Sequence, residues 1–573
     1  MKNVLLYILS PLFLTGLFIF GLFQKKSLVP PDETSGSITI CAPFSGSYIK
    51  PAADGKYVTA LPGWGNYSYK ITTKSDSAQF YFDQGLNMYY SYHMKEALAS
   101  FKESSRIDPE AAMSYWGQAL AMGPYYNAAH SYKMPAEIHE VLQKMNAKVS
   151  SSTASEKSLI HVMNFRYAAD ASDANRKTLN ATYASAMREL ILEYPDDQDI
   201  RALYVDAIMV IHAWDFWNND GSPKPWTKEV VDLSEGILKI KPNHPAALHY
   251  HIHLTEASRN PEVALPNADK LRDLFPGVAH MVHMSSHEYQ RNGLYGKGVD
   301  VNDQADKNLM HYDSLAKNLG LVKHSPHYFA VQTYCALSGA MFETGIRDAI
   351  RCRKSVAPTP ETTYDQYLFM LPALTRVRLG KWSEILKDTV HPNEKWIYAN
   401  LLDDFASGMA YVNTGKISLA KKHLARLKEK TKDPVLEKRR IPFNAPLPIA
   451  LVAENILNAS ILFADKKFDQ SVISLYNAIK IEDGLIYTEP NDWPIPARQF
   501  LGAFLMKRGK LADAEKVYRE DLELNPGNGW SNLGLYQAVK AQGKSGGLAG
   551  FKEKYQQAFS RAEKIPAGSV FIN

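Results

Sequence analysis

One spacing governs what this chain can fold into. Ala97, Phe101, Ser104 and Pro109 follow one another at steps of 4, 3 and 5 residues. The same steps recur at Val230, Ser234, Ile237 and Pro242, at Ala264, Ala268, Leu271 and Pro276, and at Ala514, Tyr518, Asp521 and Pro526. Pro242 and Pro276 lie 34 residues apart, and Gly85 and Gly502 each stand twelve residues before the alanine that opens their set. Steps of 4 and 3 mark one face of an α-helix, and the proline marks where that helix must stop. A unit of this size cannot bury its apolar face alone, so the pattern requires neighbouring units to stack.

Trp530, Leu533 and Gly534 repeat a W-x-x-L-G opening at the start of the next unit. With the four spaced sets this resembles the tetratricopeptide (TPR) repeat, a 34-residue helix–turn–helix unit. The resemblance implies an all-α fold, a right-handed α-solenoid of TPR-like helix pairs with a concave groove. The helical pattern runs from about residue 76 to 565, with further pairs expected at 400–430, 446–480 and 494–523. Residues 123–195 fit the repeat poorly and predict an inserted helix after the capping box Thr153-x-x-Glu156. The segments 244–258, HPAALHYHIHLTEAS, and 275–293, FPGVAHMVHMSSHEYQRNG, resemble a group of bacterial TPR proteins with HYxIHxxE and HxVHMxSH signatures. That likeness implies a fold and no activity.

Ahead of the repeats, Val4–Phe23 is a run of twenty uncharged residues, long enough to span a bilayer as helix. No small-residue cleavage site follows it, so an uncleaved anchor is expected, with the body outside the cytoplasm. Lys25 and Lys26 after the run oppose that topology. Residues 27–75 read as a linker or irregular cap, with a short strand at Ser37–Cys41. The expected organisation is an anchor or signal segment at 1–26, the cap at 27–75, a solenoid with a His-rich groove at 76–395, and a C-terminal solenoid at 396–573.

Composition narrows the function classes. The 65 basic and 60 acidic residues leave a net charge of +5 over 573 residues, which gives no reason to expect nucleic acid as a partner. Three cysteines exclude a disulfide framework and offer no CxxC pair, and Cys335 and Cys352 read as buried apolar residues. The basic face of 421–430 reads as solvated, and there is no GxSxG, GxGxxG or HExxH.

The one pointed chemical signal is histidine. Seven of the 17 histidines fall between 244 and 287: His244, His249, His251, His253, His280, His283 and His287. His249 to His283 and His253 to His287 are both 34 residues, so two i, i+4 pairs hold equivalent places in consecutive repeats. Glu256 and His280 fall on the same faces, and Asp206 is level with His253 one repeat earlier. His251, about 200° around the helix from His249, points elsewhere. The spacing predicts that His249, His253, His283 and His287 converge on one site in the groove, with Glu256, Asp206 and His280 as further partners. Imidazole and carboxylate without thiolate suit Zn, Cu, Ni or Fe. The same groove also suits a protein or peptide partner with no metal, and a purely structural His ladder gives the same spacing. His324 and His327 open the next helix and could extend the cluster, but beside Pro326 they read first as helix-entry residues. Trp214, Phe216, Trp217 and Trp226 read as an aromatic loop insertion that packs or caps the groove.

Overall fold

The computed structural model describes residues 49–170 and 173–572. The apolar run Val4–Phe23 and the strand expected at Ser37–Cys41 lie outside the described residues. Those that are described form α-helices and short 3-10 turns, with a lone bridge between Trp217 and Pro223 and no strand.

Helices come in antiparallel pairs, among them Asp76–Tyr90 with Met94–Ile107, Ala279–Arg291 with Tyr295–Leu315, and Ala497–Lys507 with Leu511–Leu524. The recurring spacing has a direct steric reading. Phe101, on the second helix of its pair, sits between Gly85 on the first helix and Gly117 on the first helix of the next pair. A Cβ on either glycine would meet the Phe101 ring at 2.8 and 2.3 Å. Tyr518 repeats the arrangement between Gly502 and Gly534, with 2.4 and 2.3 Å. The large residue of the set is thus a ring clamped between two backbones, and small residues opposite it set the inter-helix distance. These TPR-like pairs also cover the regions expected from weaker patterns: Ile397–Asn413 with Ile417–Lys430, and Pro446–Ala464 with Phe468–Glu482. The capping box forms, Thr153 and Glu156 each bonding the other's backbone N–H, and it starts the inserted helix Ala154–Met163.

Pro446–Ala464 is long and apolar enough to cross a membrane by composition, with a mean hydropathy of 1.7, although half of that window is buried. Ile449, Val452, Ala453, Ile456 and Leu457 fill the repeat core, which accounts for its apolar character.

Residues 49–75 form an irregular strap bonded both to the N-terminal helices and to a central repeat. Leu61 N–H donates to Gln84, Thr72 N–H to Glu156, and Gly277 N–H to the Gly63 carbonyl.

The stack folds back on itself. Arg291 donates to the Leu524 carbonyl at 3.0 Å, and Gly527 N–H donates to the Arg291 carbonyl at 3.1 Å. Trp530, fully buried, donates to the Ser338 carbonyl, and Arg561 pairs with Asp300 at 2.7 Å. Tyr295, Val299, Cys335, Trp530 and Phe559 share a core at this junction. The open concave groove expected of a solenoid is therefore replaced, between the central and C-terminal repeats, by an interior.

Candidate functional site

That interior is where the histidines meet. His244 caps the helix Pro245–Thr255 and Pro245 starts it, which fixes the phase of His249 and His253. Helix Ala279–Arg291 contributes His280, His283 and His287, and the first turn of Pro326–Ser338 contributes His327. Glu256 closes the first of these helices, and Glu489 comes from the irregular segment between Glu482 and Ala497. All eight residues are 3% exposed or less.

They form two trios. The ligand atoms of His249, His253 and His280 lie within 4.8 Å of one another, and so do those of His283, His287 and His327. The rings of His280 and His283 adjoin at 5.9 Å between centroids. His253, Glu256 and Glu489 form a third group, so His253 joins two of them. Two carboxyls stand between the trios: Glu256 is 3.1 Å from His253 Nδ1 and 3.8 Å from His287 Nδ1, while Glu489 is 3.9 Å from His253 Nδ1 and 3.1 Å from His287 Nε2.

Electrostatics follow from burial. Desolvation, reinforced by neighbouring imidazoles, holds His249, His280, His287 and His327 well below the usual imidazole range. It brings His253 and His283 down to about 3. These rings are neutral at physiological pH. Burial also pushes Glu256 up to about 8 and Glu489 well above the carboxylate range, the second further raised by the charge of the first.

Aromatic rings wall the first trio. Tyr92 packs on His249, His253 and His280 with centroids at 4.5, 5.9 and 5.7 Å, and Tyr126 and Trp214 pack on His253. Tyr92 and Trp214 both sit in the left-handed backbone region, at φ 57° and 65°. Glycine ordinarily takes that region, so two bulky residues there mark backbone held by its surroundings. Beside the trios opens a cavity of about 630 Å³, reached by His253 and Glu256 and lined by Trp214, Trp217, Tyr487, Trp493, Arg259 and Arg291.

The structure places the expected residues as follows. His249, His253, His280, His283, His287 and Glu256 all reach the interior, but the four core histidines divide between two trios instead of sharing one site. Helical rotation explains the division. His283 follows His280 by about 60° less than a full turn, so His280 leans toward the preceding repeat while His283 and His287 lean toward the next. Asp206 is taken elsewhere: it accepts from the Tyr89 hydroxyl at 2.6 Å, with Arg166 at 3.9 Å, and joins none of the three groups. His251 points away, its Nδ1 3.0 Å from Asn267. His327, read from sequence as a helix-entry residue, is both that and a member of the second trio. Glu489 carried no sequence signal, since an irregular segment from another repeat delivers it. Of the aromatic cluster, Trp214, Phe216 and Trp217 line the cavity, while Trp226 stacks on His212 at 3.6 Å.

No protein-family model matches the chain, and none of the curated proteins does. Among solved structures it is similar to a human IFIT1 dimer with PPP-AAAA, at 12% identity and a TM-score of 0.33, covering 86% of this chain and 96% of that one. It is similar to yeast Tom70 at 11% identity and a TM-score of 0.27, covering 84% and 91%. The TPR domain of P58(IPK) aligns at 14% identity and a TM-score of 0.17, over 60% and 94%. Likenesses this distant carry no argument about function, and the repeat architecture rests on the chain's own helix pairs.

Proposed function

We propose that the chain is a helical-repeat binding scaffold that takes its ligand, the end of a peptide partner or an organic molecule of similar size, into an interior cavity. The observation that carries this reading is the cavity itself. Its volume of about 630 Å³ is in the ordinary range of ligand sites, roughly 300–1,000 Å³. Its wall combines aromatic faces with the guanidinium groups of Arg259 and Arg291, a combination suited to an acidic or aromatic group. The test is a thermal-shift screen of short peptides and organic acids against the wild type and Ala257→Trp, since Ala257 lines the cavity. Ligands that stabilise the wild type and not the filled variant support the reading; ligands that stabilise both equally bind elsewhere and overturn it.

A second reading, a protein that holds a transition metal beside that cavity, is favoured by one observation: the Nε2 atoms of His249 and His253 are buried without a hydrogen-bond partner.

We further propose that Val4–Phe23 anchors the protein in a membrane, with its body outside the cytoplasm. The uncharged run of twenty residues supports this. Retention in the membrane fraction after carbonate washing is expected, and release by carbonate contradicts it.

A further inference from the structure

The hydrogen bonds behind the interior histidines fix where their protons sit. The Tyr90 carbonyl can only accept, so His249 Nδ1, 2.7 Å away, carries a proton and Nε2 presents a lone pair. His253 Nδ1 faces Glu256 Oε1 at 3.1 Å, and its Nε2 is buried without a partner. His283 Nδ1 donates to Asn302 Oδ1 at 2.6 Å, and the Asn302 amide is itself oriented by its N–H bond to the Gly298 carbonyl. Its Nε2 therefore also carries a lone pair, and meets His327 Nε2 at 3.0 Å.

His249 thus turns an unsatisfied lone pair inward, His253 Nε2 is likewise buried without a partner, and His283 Nε2 shares a single proton with His327 Nε2. An unsatisfied buried acceptor is destabilising, because it gives up its hydrogen bond to water without replacement. A carbonyl, amide or carboxylate behind the ring is the support that metal-binding histidines use to fix tautomer and orientation. A cation is the occupant that satisfies several lone pairs at once.

We infer that the interior binds two first-row transition-metal ions, one held by His249, His253 and His280, the other by His283, His287 and His327. Nitrogens ~2.1 Å from one ion lie at most ~4.2 Å apart, so the trios, with ligand atoms already within 4.8 Å, need only a small closure. Ligands at right angles on one ion lie ~3.0 Å apart, the separation of His283 Nε2 and His327 Nε2. The trios share no residue, and none of the three groups draws histidines from both. Glu489 places a carboxyl oxygen 3.1 Å from His287 Nε2. Imidazole-rich sites without thiolate suit Zn(II) or Cu(II). This assignment is independent of what the neighbouring cavity binds.

The test is titration of the chelator-stripped full chain with Zn(II), followed by elemental analysis after gel filtration and with the fold checked by circular dichroism. Wild type should retain two equivalents, and His251→Gln also two. His249→Gln and His327→Gln should each retain one, and the double variant none. Should His249→Gln fail to fold, His280→Gln reads the same trio. Three results overturn the inference: no retained zinc, a single equivalent that either variant abolishes, or a loss in His251→Gln equal to that in His249→Gln.

Discussion

His283 and His327 meet nitrogen to nitrogen at 3.0 Å, although their helices belong to different repeats. Between two neutral imidazoles that contact is a single hydrogen bond, and it leaves His327 Nδ1 buried without a partner. The 34-residue recurrence places His283, the first turn of a proline-started helix places His327, and Asn302 fixes which nitrogen His283 presents.

Asn302 is accordingly a positioning residue. In Asn302→Leu, His283 loses the acceptor that sets its tautomer, and zinc affinity at the second trio should fall about 10- to 100-fold. Asn302→Asp keeps an acceptor and should retain most of it. Competition with a chelator of known affinity measures both, and equal affinity in wild type and Asn302→Leu would refute the role.

Asp206 separates the architecture from its sequence reading. It is buried against Tyr89 and Arg166 and outside both trios. Asp206→Asn should lower stability by about 1–3 kcal/mol by weakening that buried pairing, while zinc content stays unchanged. A lost equivalent of zinc would return Asp206 to the site.

The clamp on Tyr518 is testable by a single methyl group. A Cβ at residue 534 would lie 2.3 Å from the Tyr518 ring. Gly534→Ala should therefore cost about 1–3 kcal/mol through overpacking, read as a lower urea midpoint. A neutral effect would mean that the ring shifts freely and that the spacing does not set the packing.

Glu482 gives a pH signature. It lines the cavity, accepts from the Ala497 N–H at 2.9 Å, and burial pushes its carboxyl up to about 8 from an ordinary 4.5. Between those values the folded chain keeps a proton that the unfolded chain has released. Stability therefore falls as pH rises, and the loss is complete above about 8. Glu482→Gln cannot ionise, so its stability advantage over wild type should widen between pH 6 and pH 9 by roughly 1 kcal/mol after allowing for solvent screening. Urea denaturation at the two pH values measures it, and a constant difference would contradict the shift.

Much of the fold was legible because its signals are local. The steps of 4, 3 and 5 residues report a helix face and its end, and Gly85 and Gly502 report close approach, all within one repeat. The site was legible only as far as the same period reaches. Phase placed His249, His253, His283, His287 and their neighbours Glu256 and His280 on inward faces. It could not show how those rings divide, because the division depends on the rotation between His280 and His283 and on the arrival of His327. Asp206 was in phase and still excluded, because Tyr89 and Arg166 compete for it. Glu489 and the cavity come from a segment and a fold-back that join distant repeats, as in the bond from Arg291 to the Leu524 carbonyl, and no local pattern encodes such contacts.

X-ray absorption at the zinc edge of the fully loaded chain tests the two-ion interior most directly. The expected spectrum shows nitrogen and oxygen neighbours at ~2.0–2.1 Å with the outer-shell scattering of about three imidazoles per ion and no sulfur. A spectrum without imidazole scattering, or one with oxygen neighbours alone, would place the metal outside the histidine trios and contradict the assignment.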